Sequence, residues 1–228
     1  MSLPPFVVLL FKSALRVTAA VLGVLLLLGV ALLVITTMPA QSHRGPLPAL
    51  SEAEQALAAR LQAHVTRIGS QEHNVRHPEA LDAAAHYLEA ELASYGYEVQ
   101  RQEFDAAGTK VRNLQVTVPS QTAPGQRVIV VGGHYDSAPG TPGANDNASG
   151  TAAVLELARS LKTLGEVARS DVMFVLYTNE EPPYFHTPLM GSQVHAKALK
   201  AQGVPVTAML SLETMGYYSE EKGSQKYP

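Results

Sequence analysis

Three short apolar runs in this chain each lead into residues that carry chemistry. Arg127–Gly132 contains VIVV and is followed, after Gly133, by His134. Val172–Tyr177 is followed by Thr178-Asn179 and then Glu180-Glu181, and Val206–Leu212 runs directly into Glu213. The first two runs fit strands buried on both faces, and the third reads as a further strand. Ser149–Leu164 lies between the first two and has helical apolar spacing at Val154, Leu157, Ala158 and Leu161; Ser192–Ala201 reads as a helix before the third. This alternation predicts an α/β fold with a mostly parallel central sheet flanked by helices, joined by right-handed crossovers. Such a sheet gathers the residues that follow its strands along one edge, where ligands bind.

The segments upstream extend the domain. Ser51-Glu52-Ala53-Glu54 resembles a capping box, opening a helix to about Ile68 with Leu57, Leu61, Val65 and Ile68 facing the core. Pro78 suits the first turn of a second helix ending near Tyr95, with Gly96 as its stop. Tyr97–Phe104 and Val111–Val118 alternate like a strand pair joined by an Ala-Gly turn.

From Val17 to Met38 there is no charged residue. At about 1.5 Å per residue this run crosses a hydrocarbon core of about 30 Å. It exceeds the roughly 7–15 apolar residues of a secretory signal, and Met38-Pro39 makes a poor cleavage site before Ala40. The expected organisation is a cytoplasmic segment 1–16, a transmembrane anchor 17–38, a Pro-rich linker 39–50 and one domain from residue 51 to 228. Lys12 and Arg16 precede the anchor and only Arg44 follows closely. The positive-inside rule then predicts a single-pass protein with a cytoplasmic N-terminus and a periplasmic or extracellular domain.

Charge and composition narrow the chemistry. Three of the 17 basic residues fall in the first 50 positions, which hold no acid, so 14 face 20 acids beyond. Such a balance argues against nucleic acid as a partner. Without cysteine there is neither a disulfide nor a thiolate metal site, so any metal must be held by His and carboxylates.

The candidate residues fall in four stretches. In His134-Tyr135-Asp136-Ser137, His134 is a potential ligand and Asp136 a group that orients the ring or a neighbour. In Gly143–Gly150, Asp146 sits mid-turn, where it would otherwise cap a helix. Asn147-Ala148-Ser149 also matches a glycosylation triplet, which is discounted because a sugar would obstruct the site. Glu180-Glu181 precede Pro182-Pro183-Tyr184-Phe185 rather than a typical solvated loop, so one acid can bind metal while the other handles protons. Glu213 closes the last strand before Gly216.

The segments GGHYDS, PGANDNASG, TNEEPP with Met190-Gly191-Ser192, and SLETMGYY resemble the M28 family of zinc metallopeptidases over about residues 65–228. The resemblance implies a zinc-exopeptidase-like fold, here its N-terminal portion and C-terminally incomplete. It implies Zn2+ held by His134, Asp146 and Glu213, with Asp146 bridging to a second zinc on Glu181. Glu180 would be the general base, Asp136 a supporting catalytic group, and the Asp146–Asn147 peptide bond cis. Glu213 stands where many members have Asp. The family also supplies a later His to the second zinc, and no histidine follows His195 here.

The implied function is aminopeptidase hydrolysis of peptide or protein N-termini. The alternatives are a glutaminyl-cyclase-like acyltransferase and a catalytically inactive peptide-binding ectodomain.

Overall fold

The computed structural model describes residues 4–37, 45–216, 219 and 221. Met38, Arg44 and linker positions 39–44 lie outside the described residues, as do Tyr217 and Tyr218. The chain divides into two compact units after Ala49.

The first unit contains helix α1, Pro5–Thr36. Pro5 suits an opening turn because its missing N–H has no intrahelical partner there. The helix starts well before the uncharged run, so Lys12 and Arg16 lie within it. It is long and apolar enough to cross a membrane by length and composition, and its apolar side chains are exposed.

The second unit begins with α2, Glu52–Ile68, and α3, Pro78–Ser94. The Ser51 capping box forms: Ser51 Oγ accepts from Glu54 N at 3.3 Å and Ser51 N donates to Glu54 Oε2 at 2.7 Å. Strands β1, Gln100–Ala106, and β2, Thr109–Val118, make an antiparallel hairpin. Residues 97–99 fall outside β1, and Tyr97 donates its hydroxyl to the Ala158 carbonyl at 2.7 Å. Then come β3 (Val128–His134), α4 (Ala148–Ser160), β4 (Asp171–Tyr177), α5 (Gly191–Ala201) and β5 (Val206–Ser211). A 3-10 turn, Leu164–Glu166, follows α4 where the apolar spacing predicted more helix.

The sheet order is β1-β2-β4-β3-β5. Strand β3 pairs in parallel with both β4 and β5, whereas β2 pairs antiparallel with β4. The sheet is therefore mixed: the β4-β3-β5 part is parallel, and the hairpin supplies the antiparallel part. One face packs Leu114, Val116, Phe174 and Leu176 against Leu88 and Leu92 of α3 and Val154 and Leu155 of α4. The other packs Val128, Val130, Met173, Val175 and Tyr177 with Leu199 of α5. Burying a large apolar side chain contributes about 1.5–3 kcal/mol, so these two layers hold the ends of β3 and β4 firmly. Strand β5 is the edge of the described sheet, with Val206, Met209 and Leu210 exposed.

Candidate metal centre

The sheet register aligns the carboxyl ends of three strands. His134 is the partner of Tyr177, and Leu212 N donates to Gly132 O at 2.8 Å. Each chain leaves its strand at the same level, so the loops that follow meet there. Two overlapping groups of potential ligands result, His134 with Asp146 and Glu213, and His134 with Glu180 and Glu181; within each, the donor atoms lie within 4.8 Å of one another.

His134 is the hub and is buried. Its Nδ1 lies 3.0 Å from the Asp136 backbone carbonyl, an acceptor that fixes the proton on Nδ1. Nε2 then points into the cluster, 3.1 Å from Asp146 Oδ1, 3.5 Å from Glu213 Oε2 and 3.8 Å from Glu180 Oε2. Thr151 of α4 donates to the His134 carbonyl at 2.6 Å, which ties the ligand's backbone to the helix behind it.

Asp136 points its carboxylate at backbone rather than at solvent. Its two oxygens accept from Glu180 N at 3.0 Å and Glu181 N at 3.1 Å. One buried side chain therefore sets the backbone of both adjacent acids. The two carboxylates converge, an oxygen of each lying within 4.8 Å of the other and of a His134 ring nitrogen.

Asp146 lies in a turn whose shape depends on Gly143. Gly143 has φ +68°, and a Cβ there would meet Asp146 O at 2.7 Å and Ser137 Cβ at 2.8 Å. Only glycine accommodates both the left-handed backbone and the close approach. The Asp146–Asn147 bond is cis. Asn147 is the N-cap of α4, accepting from Gly150 N at 3.0 Å.

The electrostatics follow from five acids around one imidazole. Burial opposes a charged His134, but hydrogen bonds to Asp136, Asp146 and Glu213 outweigh it and push its pKa up to about 12. Burial, then the charges of its acidic neighbours despite His134, raises the Glu180 carboxyl. Burial, followed by the charge of Asp146, pushes Glu181 up to about 7. Asp146 is held low, chiefly by its hydrogen bond to His134. Among the described residues, none of these five acids has a Lys or Arg nitrogen within 4.0 Å. Such a cluster of like charges is relieved by a cation, and a donor set of one imidazole and several carboxylates suits zinc.

All six residues singled out from sequence, His134, Asp136, Asp146, Glu180, Glu181 and Glu213, meet at this edge. Glu181 groups with His134 and Glu180 rather than forming a trio with Asp146. Sequence reasoning passed over several supporting residues. Ser137, fully buried, accepts from His73 N at 2.9 Å, donates its own N–H to His73 O at 3.0 Å and takes Asn74 Nδ2 on its carbonyl at 3.0 Å. Asn147 Nδ2 donates to Leu212 O at 2.9 Å and Glu213 Oε2 at 3.2 Å. The side-chain amides flanking Asp146 were the one local signal of such support.

The chain has relatives among known proteins. The family model for "Peptidase family M28" matches residues 113–228. The uncharacterized protein YfbL of Escherichia coli is 40% identical over 156 residues, covering 65% of this chain and 46% of YfbL. Aminopeptidase YwaD of Bacillus subtilis is 35% identical over 100 residues, covering 44% of this chain and 20% of YwaD. A leucine aminopeptidase precursor from Bacteroides thetaiotaomicron superposes with a TM-score of 0.55 at 21% identity, over 69% of this chain and 62% of that one. That likeness is one of fold. The chain spans less than half the length of either curated relative. With a family match over half the chain and an α/β fold that presents its acids at one sheet edge, this chain belongs to peptidase family M28.

Proposed function

We propose that the domain holds zinc on His134, Asp146 and Glu213, and a second zinc through Asp146 and Glu181, for the hydrolysis of N-terminal residues from peptides. The observation that carries this reading is one buried imidazole surrounded by acids that have no Lys or Arg partner among the described residues. Zinc supplies Lewis acidity there, polarising a carbonyl and making water acidic enough to lose a proton near neutral pH.

The chain's own residues do the rest. Glu180 accepts the proton of the attacking water and returns it to the departing amine. Its burial-raised carboxyl pKa brings it closer to the working pH of a proton carrier. Asp136 positions Glu180 and Glu181 through their amides. The His134 tautomer, held by the Asp136 carbonyl, leaves Nε2 free to donate its lone pair.

Helix α1 is read as an uncleaved anchor with its N-terminus in the cytoplasm. The peptidase domain then faces periplasmic or extracellular peptides. A reporter active only outside the cytoplasm, fused after residue 50, tests this; an inactive fusion reverses the topology. For the chemistry, protein purified from its source membrane should hydrolyse a leucine anilide, lose activity to a chelator and regain it with zinc. Cyclisation of an N-terminal Gln peptide instead would assign a cyclase. Tight zinc with neither reaction would assign a binding domain.

A further inference from the structure

The turn that carries Asp146 has a second task. Three consecutive backbone N–H groups beyond Glu213 are each taken by a side chain from Gly143–Gly150. Thr214 N donates to Asn147 Oδ1 at 3.3 Å, Met215 N to Ser149 Oγ at 2.9 Å, and Gly216 N to Asn145 Oδ1 at 3.1 Å. Asn147 also reaches Leu212 O and the Glu213 carboxylate through Nδ2. Ser149 in turn donates to Asn145 O at 2.6 Å, which joins two of the prongs.

The backbone held this way is strained. Thr214 has φ +46°, a left-handed conformation that a β-branched residue rarely adopts. Such a residue persists only where its surroundings over-determine it. The approach is also close: a Cβ on Gly216 would lie 2.9 Å from Ser149 Cβ and 3.2 Å from Asn145 Oδ1. The chain leaving β5 is thereby turned out of the strand direction, with Glu213 Oε2 lying 3.5 Å from His134 Nε2.

We propose that Asn145, Asn147 and Ser149 are positioning residues that clamp the 214–216 backbone and so aim the Glu213 carboxylate at the zinc held by His134 and Asp146. In this stretch the even position, Asp146, supplies a ligand, and the three odd positions place the ligand of another strand. The role rests on the zinc reading above.

The test uses the protein in detergent, with zinc affinity measured by chelator competition and backbone exchange by mass spectrometry. Ser149→Ala and Asn145→Ala should each weaken zinc by roughly ten- to hundredfold, the usual cost of losing a group that orients a metal ligand. The zinc-free variants should melt where the wild type does, and amide exchange over 214–216 should accelerate. Ser149→Thr and Asn145→Asp, which keep the acceptor oxygen, should recover most of the affinity. Faster exchange with unaltered zinc affinity would overturn the positioning role. So would a loss of affinity that merely follows a loss of zinc-free stability and is not recovered by the conservative variants. If His134→Ala also left zinc binding intact, the zinc reading itself would fail, and the exchange data would still decide whether the clamp exists.

Discussion

Replacing Asp136 by Asn changes little in volume and much in hydrogen bonding. The carboxylate accepts from two amides at once, Glu180 N and Glu181 N. An Asn amide offers one oxygen and one NH2, so whichever way it turns, one of the two N–H groups faces another donor. A hydrogen bond to a charged group contributes about 1.5–3 kcal/mol, and an orphaned buried donor costs about 1–3 kcal/mol. Asp136 is 3% exposed, so water offers little relief. The net expectation is a loss of about 2–4 kcal/mol, a large part of a stability margin of about 5–15 kcal/mol. The Asp136 carboxylate also lies 3.4 Å from His134 Nδ1, but the nearer acceptor, the Asp136 backbone carbonyl at 3.0 Å, survives the substitution and still holds the tautomer. Zinc affinity should therefore fall through displacement of the Glu180-Glu181 loop rather than through loss of the His tautomer. Urea unfolding of the zinc-free protein should show a lower midpoint with an unchanged slope, and chelator competition should show weaker zinc by roughly ten- to hundredfold. A variant within about 0.5 kcal/mol of wild type, the range of an unremarkable surface substitution, and with native zinc affinity would refute this account of Asp136.

Three further expectations follow from the site. Glu180→Gln should keep zinc and lose roughly 10²–10⁴-fold in turnover, whereas Glu181→Gln should lower occupancy of the second ion; full activity in Glu180→Gln would remove it as the proton carrier. The zinc-free protein should lose stability as pH rises, because His134 titrates at about 12 and Glu181 at about 7 when folded, against about 6.5 and 4.3 unfolded. Both values are raised on folding, so each contribution is full below its unfolded value and disappears as pH climbs through the folded one. Zinc binding needs both groups deprotonated, so the zinc-induced rise in melting temperature should widen from pH 5 to pH 8; a narrowing gap would contradict the assignment. Asn147 is 1% exposed and its Nδ2 is engaged, so expression in a glycosylating host should add no sugar mass at Asn147-Ala148-Ser149.

The candidate ligands were legible because the signal is local: an apolar run announces a strand, and an acid or His at its end announces the loop. That sufficed to bring His134, Glu180-Glu181 and Glu213 to one edge. The supporting residues were less legible because their partners are far away in the chain. Ser137 meets His73 and Asn74, and Asn145 meets Gly216; nothing in the composition of either segment reveals the other. Element ends shifted for physical reasons as well. Lys12 and Arg16 bound the uncharged run, yet charge does not stop a helix, and α1 continues through both to Pro5. The hairpin begins at Gln100 rather than Tyr97, where Tyr97 bonds a carbonyl of α4.

The central claim is that His134 anchors a zinc shared with Asp146 and Glu213. Its most direct test is metal analysis of purified protein after dialysis against zinc, comparing wild type with His134→Ala. The account predicts zinc bound stoichiometrically in the wild type and lost from the variant at the same pH, with α-helix and strand content preserved. Equal zinc in both, or none in either, would contradict it.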